Sequence, residues 1–177
     1  MKEHISIKKL IMIYGMAALM VTADQITKYV ISHHLTHGQK NTIIEGFFYL
    51  THCSNTGGAW SIFSGKAVML GIISLVSSLI VAWMIFYCKN TLTAFSLGTI
   101  LAGALGNMID RFLHGYVVDF LDFVIFGYDF PVFNVADICV VLGSIGLILS
   151  VLLAGSDSQL FYRPRFLKSA KHRKETA

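Results

Sequence analysis

Four long apolar stretches leave this chain of 177 residues few folds to choose from. A helix that crosses the hydrocarbon core of a bilayer needs roughly 20 mostly apolar residues. Stretches of that kind run from about Leu10 to Ile31, Ala67 to Tyr87, Leu92 to Leu113 and Val135 to Ala154. Lipid offers no hydrogen bonds, so each segment must satisfy its own backbone, and a helix does so. The expected architecture is an all-α membrane bundle of four transmembrane helices, forming one domain over residues 1–177. Composition agrees: charged residues make up 14% of the chain, against about 25% in a soluble domain. The first stretch is too long for a signal-peptide core, contains Asp24 and lacks a small-residue cleavage site, so it reads as a retained anchor.

Orientation follows from lysine and arginine. Lys2, Lys8 and Lys9 precede the first span, Lys89 lies in the turn between the second and third, and Arg163, Arg165, Lys168, Lys171, Arg173 and Lys174 follow the fourth. The opposite loops carry only Lys40 and Lys66. The positive-inside rule then puts both termini in the cytoplasm. The basic residues of the tail, 155–177, read as a topology signal and as contacts to anionic membrane lipids rather than to nucleic acid. The cysteines Cys53, Cys88 and Cys139 are scattered, with no spacing for a metal site or a disulfide framework.

The two outward segments are more than connectors. Residues 41–64 contain the aromatic run Phe47-Phe48-Tyr49 and then Gly57-Gly58, which reads as short strands with a glycine turn on the membrane surface. Residues 115–134 are rich in Phe and Tyr, a composition suited to the interfacial zone, and are expected as an interfacial loop or helix.

Ionisable residues inside spans are costly and call for a reason. Asp24, Lys28, Asp110 and Arg111 all fall toward the outer ends of their spans, Asp119 follows the third span and Asp137 opens the fourth. A relay through the membrane would need polar groups at every depth, whereas this layout describes a one-sided site. Asp24 and Lys28, four apart, share a helix face and serve either as an ion pair or as a substrate contact. Asn107 and Asn134 each stand three residues before an aspartate, Asp110 and Asp137. Asn134 is open to two roles, a cap on the fourth helix or a builder of the site. Asp119 and Asp122 lie on an apolar background, where desolvation and a neighbouring carboxylate hold one acid protonated beside an ionised partner. Such a split suits peptide hydrolysis; the alternative is a pair of solvated loop acids. No GxSxG or HExxH motif is present, and His33, His34 and His37 read as a solvated polar loop. A proton-coupled transporter and a scaffold whose acids only bind helices together are the competing classes.

Five motifs in order resemble one family. They are Asp24-Gln25-Ile26-Thr27-Lys28, Asn55-Thr56-Gly57-Gly58-Ala59-Trp60-Ser61, Gly103 through Arg111, Gly115-Tyr116-Val117-Val118-Asp119-Phe120 and Phe133-Asn134-Val135-Ala136-Asp137. Together they resemble the bacterial lipoprotein signal peptidases, or signal peptidase II. The resemblance implies a cofactor-free aspartyl endopeptidase, without metal, in the bacterial cytoplasmic (inner) membrane, with a small periplasmic β-cradle beside the four spans. Its implied substrates are prolipoproteins bearing diacylglyceryl-cysteine, cut just before that cysteine, and a globomycin-type inhibitor is expected to block it. It implies Asp119 and Asp137 as the catalytic pair, and Asn107, Asp110, Arg111 and Asn134 as residues that line and brace the site. Asp24, Lys28 and Asn55 match further positions near it. A monomer is expected. One departure is Trp60, where the family more often carries phenylalanine.

Overall fold

The computed structural model describes residues 4–58, 62–154 and 160–162. Lys2, Trp60 and the basic residues from Arg163 onward lie outside the described residues. The helices are α1 (Ile7–His34), α2 (Ala67–Phe86), α3 (Thr91–His114) and α4 (Val135–Leu153), and the strands are β1 (Lys40–Ile44), β2 (Phe48–Asn55), β3 (Val117–Ile125) and β4 (Tyr128–Asp129). All four helices are long and apolar enough to cross a membrane. At 1.5 Å per residue, the 28 residues of α1 extend about 42 Å, more than a hydrocarbon core of about 30 Å.

Local chemistry sets the helix ends. The side chains of Ser6 and Asn90 cap α1 and α3 by accepting the backbone N–H of Lys9 and Thr93. Gly115 closes α3 with a φ of 77°, a left-handed conformation that a side chain would disfavour. Asn134 and Asp137 form a reciprocal capping box at the start of α4.

The third helix is the hub, packing against α4, α2 and α1. Small residues make this possible. A Cβ built on Gly103 would run into the Ala136 carbonyl oxygen and Val140, and one on Gly143 would lie 2.8 Å from the Ser96 carbonyl oxygen. In lipid no hydrophobic force drives helices together, so this close backbone approach supplies the association through van der Waals contact. Large apolar side chains on the remaining faces, such as Leu19, Ile72, Leu79, Leu142 and Leu152, are exposed, as lipid-facing residues are. At the end away from the sheet the chain stitches itself together: Ile5 N–H donates to Phe86, Lys89 N–H to Leu160 and Tyr162 N–H to Tyr87.

The strands form one antiparallel sheet in the order β1-β2-β3-β4. The β-rich reading of residues 41–64 is matched by β1 and β2. Residues 115–134, expected as an interfacial loop or helix, are instead largely strand. The reason is the run Val117–Ile125, rich in β-branched and aromatic residues, which has the open edge of β2 as a partner. The register shifts between Leu50 and Cys53, a bulge that puts Cys53 opposite Asp119 and Asn55 opposite Val117. Ile31 and Leu35 at the end of α1 pack against Val118 and Phe120 of β3, so the sheet lies across the bundle end.

Candidate active site

Two buried layers of polar side chains meet where the sheet crosses the helix ends. In the deeper layer, the Lys28 ammonium lies 2.8 Å from Asp24 Oδ2 and 3.0 Å from Asp110 Oδ2. It also donates to Asn107 Oδ1 at 2.9 Å. All three of its protons are thereby used, so of the two readings of Asp24 and Lys28 the geometry has the ion pair. Both carboxylates also accept further hydrogen bonds. Asp24 Oδ1 accepts the Ala136 N–H at 2.8 Å, and Asp110 Oδ2 accepts the Val118 N–H at 3.1 Å. Gln25 Nε2 donates to Asp110 Oδ1 at 2.9 Å and reaches Asp24 Oδ2 and the Gly106 carbonyl, both at 3.2 Å. A charge buried without such partners would be prohibitively costly.

The second layer holds Asp119, from β3, and Asp137, from the first turn of α4. Asp119 Oδ1 accepts from Asn134 Nδ2 at 2.6 Å, and its Oδ2 accepts from Asn55 Nδ2 at 2.9 Å. Asp137 Oδ1 accepts from Asn107 Nδ2 at 2.8 Å, and its Oδ2 accepts the Asn134 N–H at 3.1 Å. Asn134 therefore does both things that its sequence position allowed: it caps α4 and bridges the two acids. Its Nδ2 also donates to Asn107 Oδ1 at 3.1 Å. Since that oxygen already accepts from Lys28, the Asn107 amide is oriented and its N–H₂ is turned toward Asp137.

The electrostatics favour the protonated form of Asp119. Among the described residues, the cations facing Asp24, Asp110, Asp119 and Asp137 are Lys28 and Arg111. Burial, reinforced by the charge of Asp137, pushes the Asp119 carboxyl up to about 7. The Asn55 and Asn134 hydrogen bonds and the Lys28 charge pull the other way and are outweighed. Asp119 is only 3% exposed, while Asp137 is more open.

A cavity of about 760 Å³ opens onto these acids. Its polar end is lined by Asn55, Asn107, Arg111, Asp119 and Asp137, and its apolar wall by Val140, Val141 and Leu142 of α4 with Phe130, Pro131 and Phe133. Val141 and Leu142 are exposed on the outer face of α4, so the cavity continues onto the surface that faces lipid. Arg111 borders it, with Nη2 donating to the Gly57 carbonyl at 3.1 Å.

The residues singled out from sequence, Asp24, Lys28, Asn55, Asn107, Asp110, Arg111, Asp119, Asn134 and Asp137, thus converge. Asp122 does not join them: its Oδ2 accepts from Thr51 at 2.8 Å and pairs with Lys40 at 2.9 Å. The pairing of Asp119 with Asp122 considered from sequence gives way to Asp119 with Asp137, because the sheet and α4 bring together acids far apart in the chain. Gln25, the Ala136 N–H, the Gly57 carbonyl and the wall from Phe130 to Phe133 were not assigned from sequence. Gln25, Gly57, Phe133 and Ala136 lay inside the motifs, and Gln25 carried the further signal of a polar residue inside a span beside Asp24.

The chain matches the family described as Signal peptidase (SPase) II over residues 16–153. It is 41% identical over 140 residues to proteins described as lipoprotein signal peptidases from Staphylococcus aureus strains JH9 and Newman, a match covering 77% of this chain and 85% of each relative. Two solved structures, each described as a bacterial membrane enzyme obtained by the in meso method, are similar at 37% identity. The one at 2.3 Å resolution has a TM-score of 0.77 and covers 90% of this chain and 96% of its own. The one at 1.9 Å resolution has a TM-score of 0.72, with 89% and 99% covered. The family match spans most of the chain, from the first span through the fourth, and with it the whole buried polar cluster: the chain belongs to the signal peptidase II family, the lipoprotein signal peptidases.

Proposed function

We propose that this chain is a membrane-embedded aspartyl endopeptidase. It removes the signal peptide from diacylglyceryl-modified prolipoproteins by cutting just before the lipid-modified cysteine, with Asp119 and Asp137 as the catalytic pair. The observation that carries the reading is the pair itself: two carboxylates from different elements, joined through Asn134 at the polar end of a cavity whose apolar wall continues onto the lipid face.

The chemistry follows from one proton shared by two acids. Asp119, the more deeply buried, is the favoured home of that proton, although the pair titrates as a unit. Ionised Asp137 takes a proton from a water molecule, and the resulting hydroxide attacks the scissile carbonyl carbon. Protonated Asp119 donates a hydrogen bond to the carbonyl oxygen and stabilises the negative charge developing there. The departing amine then receives a proton from the pair, which returns to its starting state. Asn55, Asn107 and Asn134 hold the carboxylates in place, and the ion cluster of Asp24, Lys28 and Asp110 braces Asn107 from behind. Arg111 completes the wall, within reach of substrate backbone in the cavity.

The cavity suits a lipid-anchored substrate, since its apolar wall of Val141 and Leu142 leads acyl chains from the bilayer to the acids. The strand residues around Asn55 suit pairing with substrate backbone unwound at the cut site. The enzyme is assigned to the bacterial cytoplasmic membrane, with both termini cytoplasmic and the sheet on the periplasmic side. It acts as a monomer, without cofactor or metal, and is a target of globomycin-type inhibitors. A proton relay across the membrane has less support. In the inner half, the buried hydroxyls Thr93 and Ser150 bond each other at 3.1 Å rather than lining a path.

The test is the product. Purified protein supplied with a diacylglyceryl-modified prolipoprotein is expected to yield a fragment whose N-terminus is the modified cysteine, identified by mass. The same precursor without the diacylglyceryl group is expected to remain largely uncut. Cleavage elsewhere, or none at all, contradicts the assignment.

A further inference from the structure

Beyond the active site, the sheet ends in a cluster that water alone does not explain. Ile125 pairs with Tyr128 across a two-residue turn, Phe126-Gly127. Both turn residues have positive φ, 51° and 77°, the geometry that tight hairpins require and that glycine, asparagine and aspartate adopt readily. Phenylalanine is a poor choice for such a backbone. Its ring is also fully exposed, at 105% of the reference value. The turn between β1 and β2 lies at the same end, because Phe48 pairs with Phe123 and the Val124 N–H donates to the Phe47 carbonyl at 2.9 Å. The end of β1 adds Ile43 and Ile44 and that turn adds Phe47, each about half exposed, and Tyr128 is 59% exposed. An aqueous surface rarely keeps such a contiguous apolar patch without a partner.

The placement of the sheet identifies the partner. At one end of β3, Asp119 sits over the first turn of α4. Next along the strand, Val118 and Phe120 pack on Ile31 and Leu35 at the end of α1. On β2, His52 Nδ1 is bonded to the Leu35 carbonyl at 2.8 Å, which pins that strand to the same helix end. From there the strands continue toward Phe47 and Phe126, and β1 and β4 are held chiefly by β2 and β3. α1 is a peripheral helix, with most of its surface outside the bundle. A sheet that crosses its end and goes on therefore overhangs the lipid beside the bundle. Glu45, Asp129 and Lys40 border the cluster, a polar rim suited to the headgroup level.

We propose that this end of the sheet is a membrane anchor: Phe126, with Ile43, Ile44 and Phe47, inserts into the acyl region of the leaflet on the active-site side. The occupant is lipid hydrocarbon, so insertion does not depend on anionic headgroups. It also holds the far end of the strand that carries Asp119, fixing the sheet at two points, α1 and the bilayer. This anchor does not rest on the proposed peptidase chemistry.

The test reads depth directly. Phe126→Trp, in a background with Trp60→Phe and Trp83→Phe, is reconstituted into phosphatidylcholine nanodiscs with and without acyl-chain-brominated lipid. Blue-shifted emission that loses most of its intensity to brominated lipid, and little to aqueous acrylamide, is the expected result. Emission at the position typical of water, quenched by acrylamide and untouched by bromine, overturns the anchor and points to a water-exposed face for another protein. Phe126→Asn relieves the turn geometry and serves as a second variant. It is expected to keep its thermal stability in detergent while the sheet exchanges amide hydrogens faster in nanodiscs than the wild type. Equal exchange in nanodiscs contradicts the proposal.

Discussion

At the residue scale, each carboxylate in the cluster is defined by who donates to it. Lys28 gives all its protons to Asp24, Asp110 and Asn107, and the hydrogen bonds to Asp119 and Asp137 among the described residues come from amides. Amides orient a carboxylate without neutralising it, and this distinguishes the pair suited to chemistry from the pair that braces it. Asp119 carries a measurable consequence. Its carboxyl is raised from 3.8 to about 7, so folding takes up a proton between those values. The sign follows: the contribution of this group to stability is greatest below its unfolded value, declines as pH rises toward about 7, and stays low above it. The decline is on the order of a few kcal/mol, at about 1.4 kcal/mol per pH unit. Asp119→Asn has no charge to bury and keeps an oxygen to accept from Asn134. Thermal unfolding in detergent is expected to show the variant more stable than wild type at pH 8, with the gap shrinking at pH 5. A gap independent of pH would show that Asp119 is not the raised acid. The roles of Gln25 and the Ala136 N–H were not legible in the sequence, because their contacts exist only once α1, α3 and α4 are packed.

At the element scale, helices were far more legible than strands. The expected spans, 10–31, 67–87, 92–113 and 135–154, fall within a few residues of Ile7–His34, Ala67–Phe86, Thr91–His114 and Val135–Leu153, because an unbroken apolar run in lipid has one solution. β3 was missed for a physical reason: Asp119 and Asp122 interrupt its apolar pattern, and a strand needs a partner that sequence alone does not specify. The partner also decides what each acid does. Asp122 is tied by Thr51 and Lys40 on the sheet, so Asp122→Asn is expected to retain most of the cleavage rate, with the turnover assay as the check. A loss as deep as that of an Asp119 variant would contradict this division of labour. Packing of α3 gives a second test. A Cβ on Gly106 would lie 2.6 Å from Asp24 Oδ2 and 3.1 Å from the Ala136 Cβ. Gly106→Ala is therefore expected to lower stability by roughly 1–3 kcal/mol, as overpacking does, and to reduce activity by displacing the brace. A neutral effect on melting temperature would show that α1 and α3 can separate at no cost.

At the scale of the whole molecule, the design is a division by depth. The inner part of the bundle is an apolar scaffold whose buried hydroxyls include the bonded pair Thr93 and Ser150, and the buried charged groups collect where the helices end and the sheet begins. Sequence order revealed that one-sidedness and named the residues that converge. It did not reveal the cavity, whose apolar wall forms only when segment 130–133 folds back beside α4. We propose that Asp119 and Asp137 act as one catalytic unit, and a side-by-side comparison of three proteins decides it. Wild type, Asp119→Asn and Asp137→Asn are purified side by side, shown to be folded by their thermal transitions, and given the same diacylglyceryl-modified prolipoprotein. Either substitution is expected to lower the cleavage rate by at least roughly a thousandfold, and the double substitution to cost little more. A folded single variant that still cleaves at a rate near wild type would contradict it.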